Sequence, residues 1–244
     1  MHVLTLIRRL ALVVSGAALL LGASIAGVLA FPQPFFAYQV AEGRLELYSD
    51  RPFDANAGRA ILADVEARLD RSILNDRRPH RIFIVNAEWR RRLFFLRGYG
   101  AGGINFYPVA GGVFLRQTDV EAGRLLKNDG TPVPPPRTLA YYAAHEIGHD
   151  FIAERIGATA NWRLPVWIRE GLADYIAFGG DVDIDGLLAA LHRDDPDLDP
   201  KRSGTYARYR LLVAFMVERE GWSVDRLLAS EMPQAEAESR LPHF

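Results

Sequence analysis

The residues best suited to chemistry are His145, Glu146 and His149, which form an H-E-x-x-H pattern. On an α-helix, residues four positions apart lie on the same face, so the imidazoles of His145 and His149 can converge on one ion. Glu146 points about 100° around the helix from His145, where its carboxylate can reach a water on the metal. The pattern therefore predicts two metal ligands and a general base. A pair of core histidines is the simpler alternative.

Two carboxylates downstream can complete such a site. Glu170 follows His149 after twenty intervening residues, and Asp174 lies four positions beyond Glu170. A catalytic zinc takes three protein ligands and leaves a fourth position for water, with His2Glu as one recognised set, so Glu170 is the predicted third ligand. Asp174 shares a helix face with Glu170 and can accept the free N–H of a ligating imidazole, most simply that of His145. The alternative is a solvated acidic face.

The flanking sequence predicts the two helices that must position these side chains. Apolar residues recur at helical spacing from Arg137 to Ile156, and Gly157 stands where a glycine commonly closes a last turn. A second apolar stripe runs from Leu164 to the pair Gly179-Gly180, with Pro165 suited to the first turn. The histidines and the carboxylates are thus expected on two neighbouring helices.

The combined pattern resembles the gluzincin zinc metallopeptidases, the superfamily of thermolysin and the aminopeptidase N-like enzymes, over about a third of the chain. The resemblance implies that His145, His149 and Glu170 bind one Zn²⁺ and that Glu146 is the base and proton shuttle. Asp174 matches the thermolysin-like aspartate four residues after the third ligand. The resemblance also implies a peptide or protein substrate.

A further stretch, from Tyr206 to Gly221, is similar to the aminopeptidase N-like helix that begins with a tyrosine that stabilises the transition state. By that resemblance Tyr206 is the oxyanion donor. Those enzymes usually carry Lys-Gly where Arg208 and Tyr209 stand here. Tyr209 and Tyr175 are therefore alternatives for the role, and each of the three tyrosines can instead be a core residue.

The function expected from these residues is zinc-dependent hydrolysis of peptide bonds, in which Glu146 activates a zinc-bound water. The alternative is a catalytically silent zincin-like binding module of the cell envelope that holds a structural zinc. The intact Glu146 argues against the silent module, because metal retention alone does not require a carboxylate there. No Gly-Ala-Met-Glu-Asn-type motif precedes the helix, so recognition of an N-terminal amine is not expected.

Residues 1–36 are predicted to form a membrane anchor or signal segment. Arg8 and Arg9 precede Leu10 to Phe31, an uncharged run of twenty-two residues that is long enough to cross a bilayer. The positive flank predicts a cytoplasmic N-terminus and an exported remainder. We therefore expect this chain to cross the inner (cytoplasmic) membrane once.

The catalytic domain, residues 37–244, is then expected on the periplasmic or extracytoplasmic side. Val28-Leu29-Ala30 offers a small-residue cleavage pattern, so a removable signal peptide and a secreted protein are the alternative. The apolar run is longer than a usual signal core, which favours the anchor.

The remaining periodicities predict an α+β domain. The resemblance implies that this domain is zincin-like, with a small mixed sheet, an active-site helix beneath it, a helical C-terminal lobe and a cleft between them. Val113 to Gln117 is expected either as an edge strand at the rim of the cleft, which the resemblance implies, or as an internal strand. The predicted strands are Leu45–Tyr48, Arg81–Asn86 and Gly111–Gln117. The other predicted helices are Asp54–Leu74, Leu187–His192, Tyr206–Glu220 and Val224–Ser230, and Trp89–Arg97 is a helix or a loop edge.

Composition excludes several other classes of function. The chain has no cysteine, so it has neither disulfides nor a thiolate zinc site. Its net charge of −1 gives no indication of a nucleic-acid partner. His80, His192 and His243 have no ligand spacing and are expected at the surface.

Overall fold

The protein is described by a computed structural model over residues 2–74, 77–95 and 98–242, with mixed α+β architecture and an apolar N-terminal helix. Its strands are β1 (Tyr38–Glu42), β2 (Leu45–Ser49), β3 (His80–Val85), β4 (Gly103–Asn105), β5 (Val113–Arg116), β6 (Thr118–Asp119) and β7 (Arg124–Leu125). Its α-helices are α1 (His2–Ala30), α2 (Ala55–Asp70), α3 (Glu88–Phe95), α4 (Leu139–Ile156), α5 (Ala158–Arg163), α6 (Val166–Ala177), α7 (Ile184–His192), α8 (Pro200–Ser203), α9 (Ala207–Ala214), α10 (Val224–Leu228) and α11 (Gln234–Glu238).

The first five strands form a mixed sheet in the order β1-β2-β3-β5-β4. The pairs β2–β3 and β3–β5 are parallel, whereas β1–β2 and β4–β5 are antiparallel. This arrangement confirms the predicted small mixed sheet. Of the two alternatives for Val113 to Gln117, the internal strand is confirmed, because β5 pairs with β3 on one side and with β4 on the other. The edge strand beside the cleft is β4.

The two faces of the sheet follow the period-2 alternation of its strands. In β3, Ile82 and Ile84 point to a core shared with α2 and α4, while Phe83 and Val85 point to a second, mainly aromatic core. All four side chains are at most 1% exposed. Each such burial contributes about 1.5–3 kcal/mol, so both faces of β3 help to fix the register of the sheet.

The aromatic core lies under α3 and the C-terminal end of α1. Leu29 in α1 and Phe36 just after it are each 6% exposed and belong to this core with Phe83 and Phe114. The Phe36 and Phe83 ring centroids are 5.0 Å apart. The last turns of the N-terminal helix are thus packed against the sheet.

Within the described side chains of α1, the stretch from Ile7 to Ser24 is almost entirely exposed. Among the described residues, Ile7–Ala30 is the one helix that is long and apolar enough to cross a membrane, and only 6% of its most apolar window is buried. Length and composition of this kind also suit a signal sequence or a core helix.

On the opposite face of the sheet, a polar side chain caps the first turn of α2. Asp54 begins α2 by accepting a hydrogen bond from the Ala57 amide at 2.8 Å. Beyond α9 the chain continues as a π-helical turn, Phe215–Arg219, so the predicted helix Tyr206–Glu220 is present as two joined pieces.

The structure tests the predicted surface position of two of the remaining histidines. His192 is exposed, as expected. His80 is 7% exposed and packs edge-on against Phe151, so its prediction is wrong: it begins the buried strand β3. His243 lies outside the described residues.

Candidate metal centre

Helix α4 carries the H-E-x-x-H pattern through the interior of the protein. Thr138 caps its first turn by accepting a hydrogen bond from the Tyr141 amide at 3.1 Å, and Gly157, with φ of 83°, follows its last residue. His145 and Glu146 are 5% and 8% exposed, because the helix passes between the sheet and the C-terminal helices. The polar side chains therefore need partners inside the fold.

Helix α6 supplies the third side chain by packing closely on α4. A Cβ placed on Gly148 would lie 3.2 Å from the Ala173 Cα, so a glycine permits the close helix contact. The helix begins after Pro165, which stands at the N-cap rather than inside the first turn. Glu170 is thereby brought within 3.6 Å of His145 Nε2 and 3.4 Å of His149 Nε2, both measured to its Oε2.

The spacing of these three donors suits a metal ion. The ligand atoms of His145, His149 and Glu170 all lie within 4.8 Å of one another, so the group can hold a metal ion. In tetrahedral coordination with ligand bonds of about 2.0–2.1 Å, two donors are separated by about 3.4 Å. The two carboxylate-to-imidazole distances match that separation.

The two carboxyl groups at this site, those of Glu170 and Glu146, have pKa values shifted in opposite directions. Burial raises the pKa of the Glu170 carboxyl, but hydrogen bonds and charge interactions with His145 and His149 outweigh burial and hold that pKa far below its usual range. Glu146 behaves differently: burial raises its pKa to about 7, although His149 acts to lower it. The site thus combines an ionised ligand carboxylate with a second carboxyl suited to proton exchange near neutral pH.

Asp174 lies directly behind the group. Its Oδ1 accepts a hydrogen bond from the Tyr141 hydroxyl, and its Oδ2 accepts one from Arg210 at 2.6 Å. The distance from Asp174 Oδ1 to His145 Nδ1 is 3.8 Å, which exceeds a hydrogen bond. His145 Nδ1 is buried and has no hydrogen-bond partner among the residues that the structure describes. The predicted contact between Asp174 and His145 therefore stays a prediction, with the two side chains adjacent.

Glu146 is covered by the edge strand β4. A Cβ on Gly103 would lie 2.5 Å from the Glu146 Cγ, so only a glycine lets the strand pass this close to the carboxylate. The side-chain amide of Asn105 donates a hydrogen bond to the Glu146 carbonyl at 3.2 Å. Sequence reasoning did not identify Gly103 or Asn105, because a three-residue strand among glycines has no readable alternation.

The three candidate tyrosines occupy different positions. The Tyr206 ring stacks on the His145 imidazole, with ring centroids 5.6 Å apart and ring planes at an angle of 7°. It also lines the cavity in front of His145, His149 and Glu170, which are called the metal group below. Burial and nearby Glu170 raise the Tyr206 pKa, so the phenol keeps its proton. Tyr175 is buried and Tyr209 packs against the core, and neither lines this cavity. Of these three tyrosines, Tyr206 is the one that lines the cavity.

The group opens into a cavity of about 660 Å³, a volume typical of ligand sites. Its wall includes Gly102, Gly103 and Asn105 from the sheet side and Trp162 from α5. Three arginines that the sequence analysis did not single out also line it: Arg116, Arg137 and Arg169.

Comparison of the chain with models of known protein families and with curated protein sequences finds no match.

Proposed function

We propose that the protein is a membrane-anchored zinc metallopeptidase of the gluzincin type. The observation that carries the proposal is the convergence of His145, His149 and Glu170 into one metal-binding geometry, with Glu146 on the same cavity wall. The donor set of two imidazoles and one carboxylate is that of a catalytic zinc site, which leaves a coordination position open. Bound zinc supplies Lewis-acid activation of water and of a carbonyl group.

Glu146 supplies the proton-transfer group in this proposal. It follows His145 on α4, so its carboxylate lies beside the metal group rather than within it. Its neighbour β4 and its burial keep bulk water away from it. A buried carboxylate in this place accepts a proton from the attacking water and delivers it to the leaving amine.

Tyr206 supplies the oxyanion donor. Its phenol retains a proton, its ring is held against His145, and it faces the cavity. A donor fixed by ring stacking needs little reorganisation as negative charge develops on the carbonyl oxygen.

The edge strand supports a peptide as the substrate. One side of β4 pairs with β5, and β4 ends the sheet on its other side, next to the cavity. An extended peptide can add to such an edge through main-chain hydrogen bonds. Gly102 and Gly103 carry no side chains, so a substrate backbone can approach this part of the edge closely.

The N-terminal helix places the activity at a membrane in this proposal. Arg8 and Arg9 flank the apolar run on its N-terminal side, which favours retention of that end in the cytoplasm and export of the domain across the inner membrane.

The proposal is tested with zinc-loaded full-length protein in mild detergent, beside Glu146→Gln and Tyr206→Phe, on a mixture of peptides. We expect equal zinc content in all three proteins, cleavage by the wild type, loss of cleavage in Glu146→Gln and a drop of about a hundredfold or more in Tyr206→Phe. Zinc binding without cleavage by the wild type would instead favour a binding module with a structural zinc. Cleavage that survives Glu146→Gln would refute the assigned base.

A further inference from the structure

The cavity in front of the metal group carries an uneven distribution of charge. Its acidic residues are Glu146 and Glu170, at the metal end, and its basic residues are Arg116, Arg137 and Arg169. The Arg169 Nε lies 3.3 Å from Glu170 Oε1 and is neutralised there. Among the residues that the structure describes, neither Arg116 nor Arg137 has a carboxylate in an ion pair.

Arg116 is a partly buried cation at the end of the internal strand β5. Its Nη1 donates to the Gly100 carbonyl at 3.3 Å, while its buried Nε has no hydrogen-bond partner. Burial lowers the pKa of its guanidinium, and repulsion from Arg91 and Arg137 lowers it further, against an opposing contribution from Tyr142. A cation held in this way is stabilised by any anion that enters the cavity.

Arg137 approaches the same place from the turn before α4. Its Nη1 donates to the Gly204 carbonyl at 3.2 Å, and its guanidinium carbon lies 5.9 Å from the centre of the Tyr142 ring. Tyr142 itself lines the cavity, and both arginines act to lower its pKa against the larger effect of burial. The three side chains therefore form one cluster.

This cluster offers hydrogen-bond donors and positive charge. Guanidinium groups have five N–H donors and no acceptor, and a protonated phenol donates one more. Within the described part of the chain, the two guanidinium groups donate to two backbone carbonyls, those of Gly100 and Gly204, and most of their donors are available. Two guanidinium forks and one hydroxyl can together donate hydrogen bonds to the oxygens of a carboxylate.

We propose that Arg116, Arg137 and Tyr142 form a carboxylate-binding subsite that selects peptides with a negative charge close to the scissile bond. This inference rests on the proposed peptidase function and names its substrate class. Nothing in the expected catalytic set requires these three residues.

The position of Tyr142 sets the distance between this subsite and the reaction. Tyr142 lies four residues before Glu146 on α4, which is about 6 Å along the helix axis. An extended peptide spans about 3.3 Å per residue, so the recognised carboxylate lies one or two residues from the cleaved bond. The carboxylate is then either a free C-terminus, with release of one or two residues, or an acidic side chain within a longer chain.

Peptide binding tests the subsite separately from catalysis. The probes are four fluorescently labelled peptides of one sequence, which carry a free or amidated C-terminus and either glutamate or glutamine near it. The peptides are titrated into zinc-loaded full-length protein in detergent. This protein carries Glu146→Gln alone, or Glu146→Gln combined with either Arg116→Gln or Arg137→Gln. Arg193→Gln, an exposed arginine outside the cavity wall, is the matched control.

We expect the peptides recognised by the subsite to bind at least tenfold more tightly than the doubly neutral peptide. That advantage should disappear in Arg116→Gln and Arg137→Gln and persist in Arg193→Gln, while zinc content stays unchanged. Preference for the free C-terminus identifies a carboxypeptidase-like mode, and preference for glutamate identifies an internal acidic residue. If Arg116→Gln fails to fold, Arg137→Gln alone decides.

Equal binding of all four peptides would overturn the inference, as would an advantage that persists in both arginine variants, because the carboxylate would then be bound by the metal. Failure of the proposed function gives a different result. In that case the wild type cleaves none of the four peptides, whatever their order of affinity.

Discussion

The buried ion pair between Asp174 and Arg210 should be among the most important polar contacts for stability near the metal group. The Arg210 Nη1 donates to Asp174 Oδ2 at 2.6 Å, and the two side chains are 13% and 1% exposed. The Tyr141 hydroxyl donates to the other carboxylate oxygen, and the guanidinium carbon lies 3.7 Å from the centre of the Phe178 ring. Asp174→Asn keeps the shape of this side chain and removes its charge.

The expected cost follows from the low exposure of the pair. Loss of one partner of a buried ion pair leaves an uncompensated charge and costs about 3–5 kcal/mol. We take the lower figure, about 3 kcal/mol, because asparagine retains one acceptor oxygen. For a domain of this size each kcal/mol lowers the melting temperature by about 2–4 °C, so Asp174→Asn should lower it by about 6–12 °C.

An exposed pair of the same chemistry provides the control. Arg155 donates to Asp225 from Nε at 2.9 Å and from Nη2 at 2.8 Å, with side chains 55% and 66% exposed. Asp225→Asn should therefore cost at most about 1 kcal/mol. Both variants are heated as full-length protein in detergent with a chelator, so that metal binding does not contribute. Equal melting shifts for Asp174→Asn and Asp225→Asn would refute the reasoning.

Three further changes test the anchor, the edge strand and the metal ligands. Removal of residues 1–36 deletes two buried apolar side chains of the aromatic core, so the free energy of unfolding should fall by about 3–6 kcal/mol, measured by denaturant titration. Gly103→Ala places a methyl group against the base carboxylate and should lower kcat/KM for peptide cleavage by about tenfold to a hundredfold. His149→Ala should weaken zinc binding by more than about a hundredfold in a chelator competition, because loss of a residue that merely hydrogen-bonds to a ligand already costs about tenfold to a hundredfold.

Each of the three changes has a matched control. Removal of residues 1–23 retains the packed end of α1 and should leave the unfolding free energy close to that of the full chain. Gly111→Ala adds a methyl group where no atom lies within 4 Å and should retain activity. His192→Ala changes an exposed histidine outside the metal group and should retain zinc affinity. In each case, equal results for the variant and its control would contradict the structural reason given.

The metal group was predictable because the sequence features that indicate it lie close together in the chain. The i, i+4 spacing of His145 and His149 defines one helix face, and helix signals around Glu170 identify its partner. Short runs of consecutive apolar residues likewise predicted β3 and β5. The cap at Thr138 and the glycine after α4 are similarly short-range features.

The contacts that surround the group depend on tertiary packing and were not predictable in the same way. Arg210 lies thirty-six residues from Asp174, and only the packing of α9 on α6 brings them together. Arg116 lies on a strand and Arg137 in a turn. No periodicity in the sequence predicts that these two segments lie close together. The choice between an edge and an internal position for β5 stayed open because sheet order is set by long-range pairing, whereas strand propensity is local.

Anomalous diffraction at the zinc absorption edge, from crystals of the zinc-loaded protein, determines whether His145, His149 and Glu170 bind one zinc ion. The structure predicts one strong peak, about 2.0–2.2 Å from Nε2 of His145, Nε2 of His149 and a carboxylate oxygen of Glu170. Zinc bound at other residues, or the absence of a peak at this group in zinc-loaded crystals, would contradict the assignment of the metal centre and the hydrolytic function proposed from it.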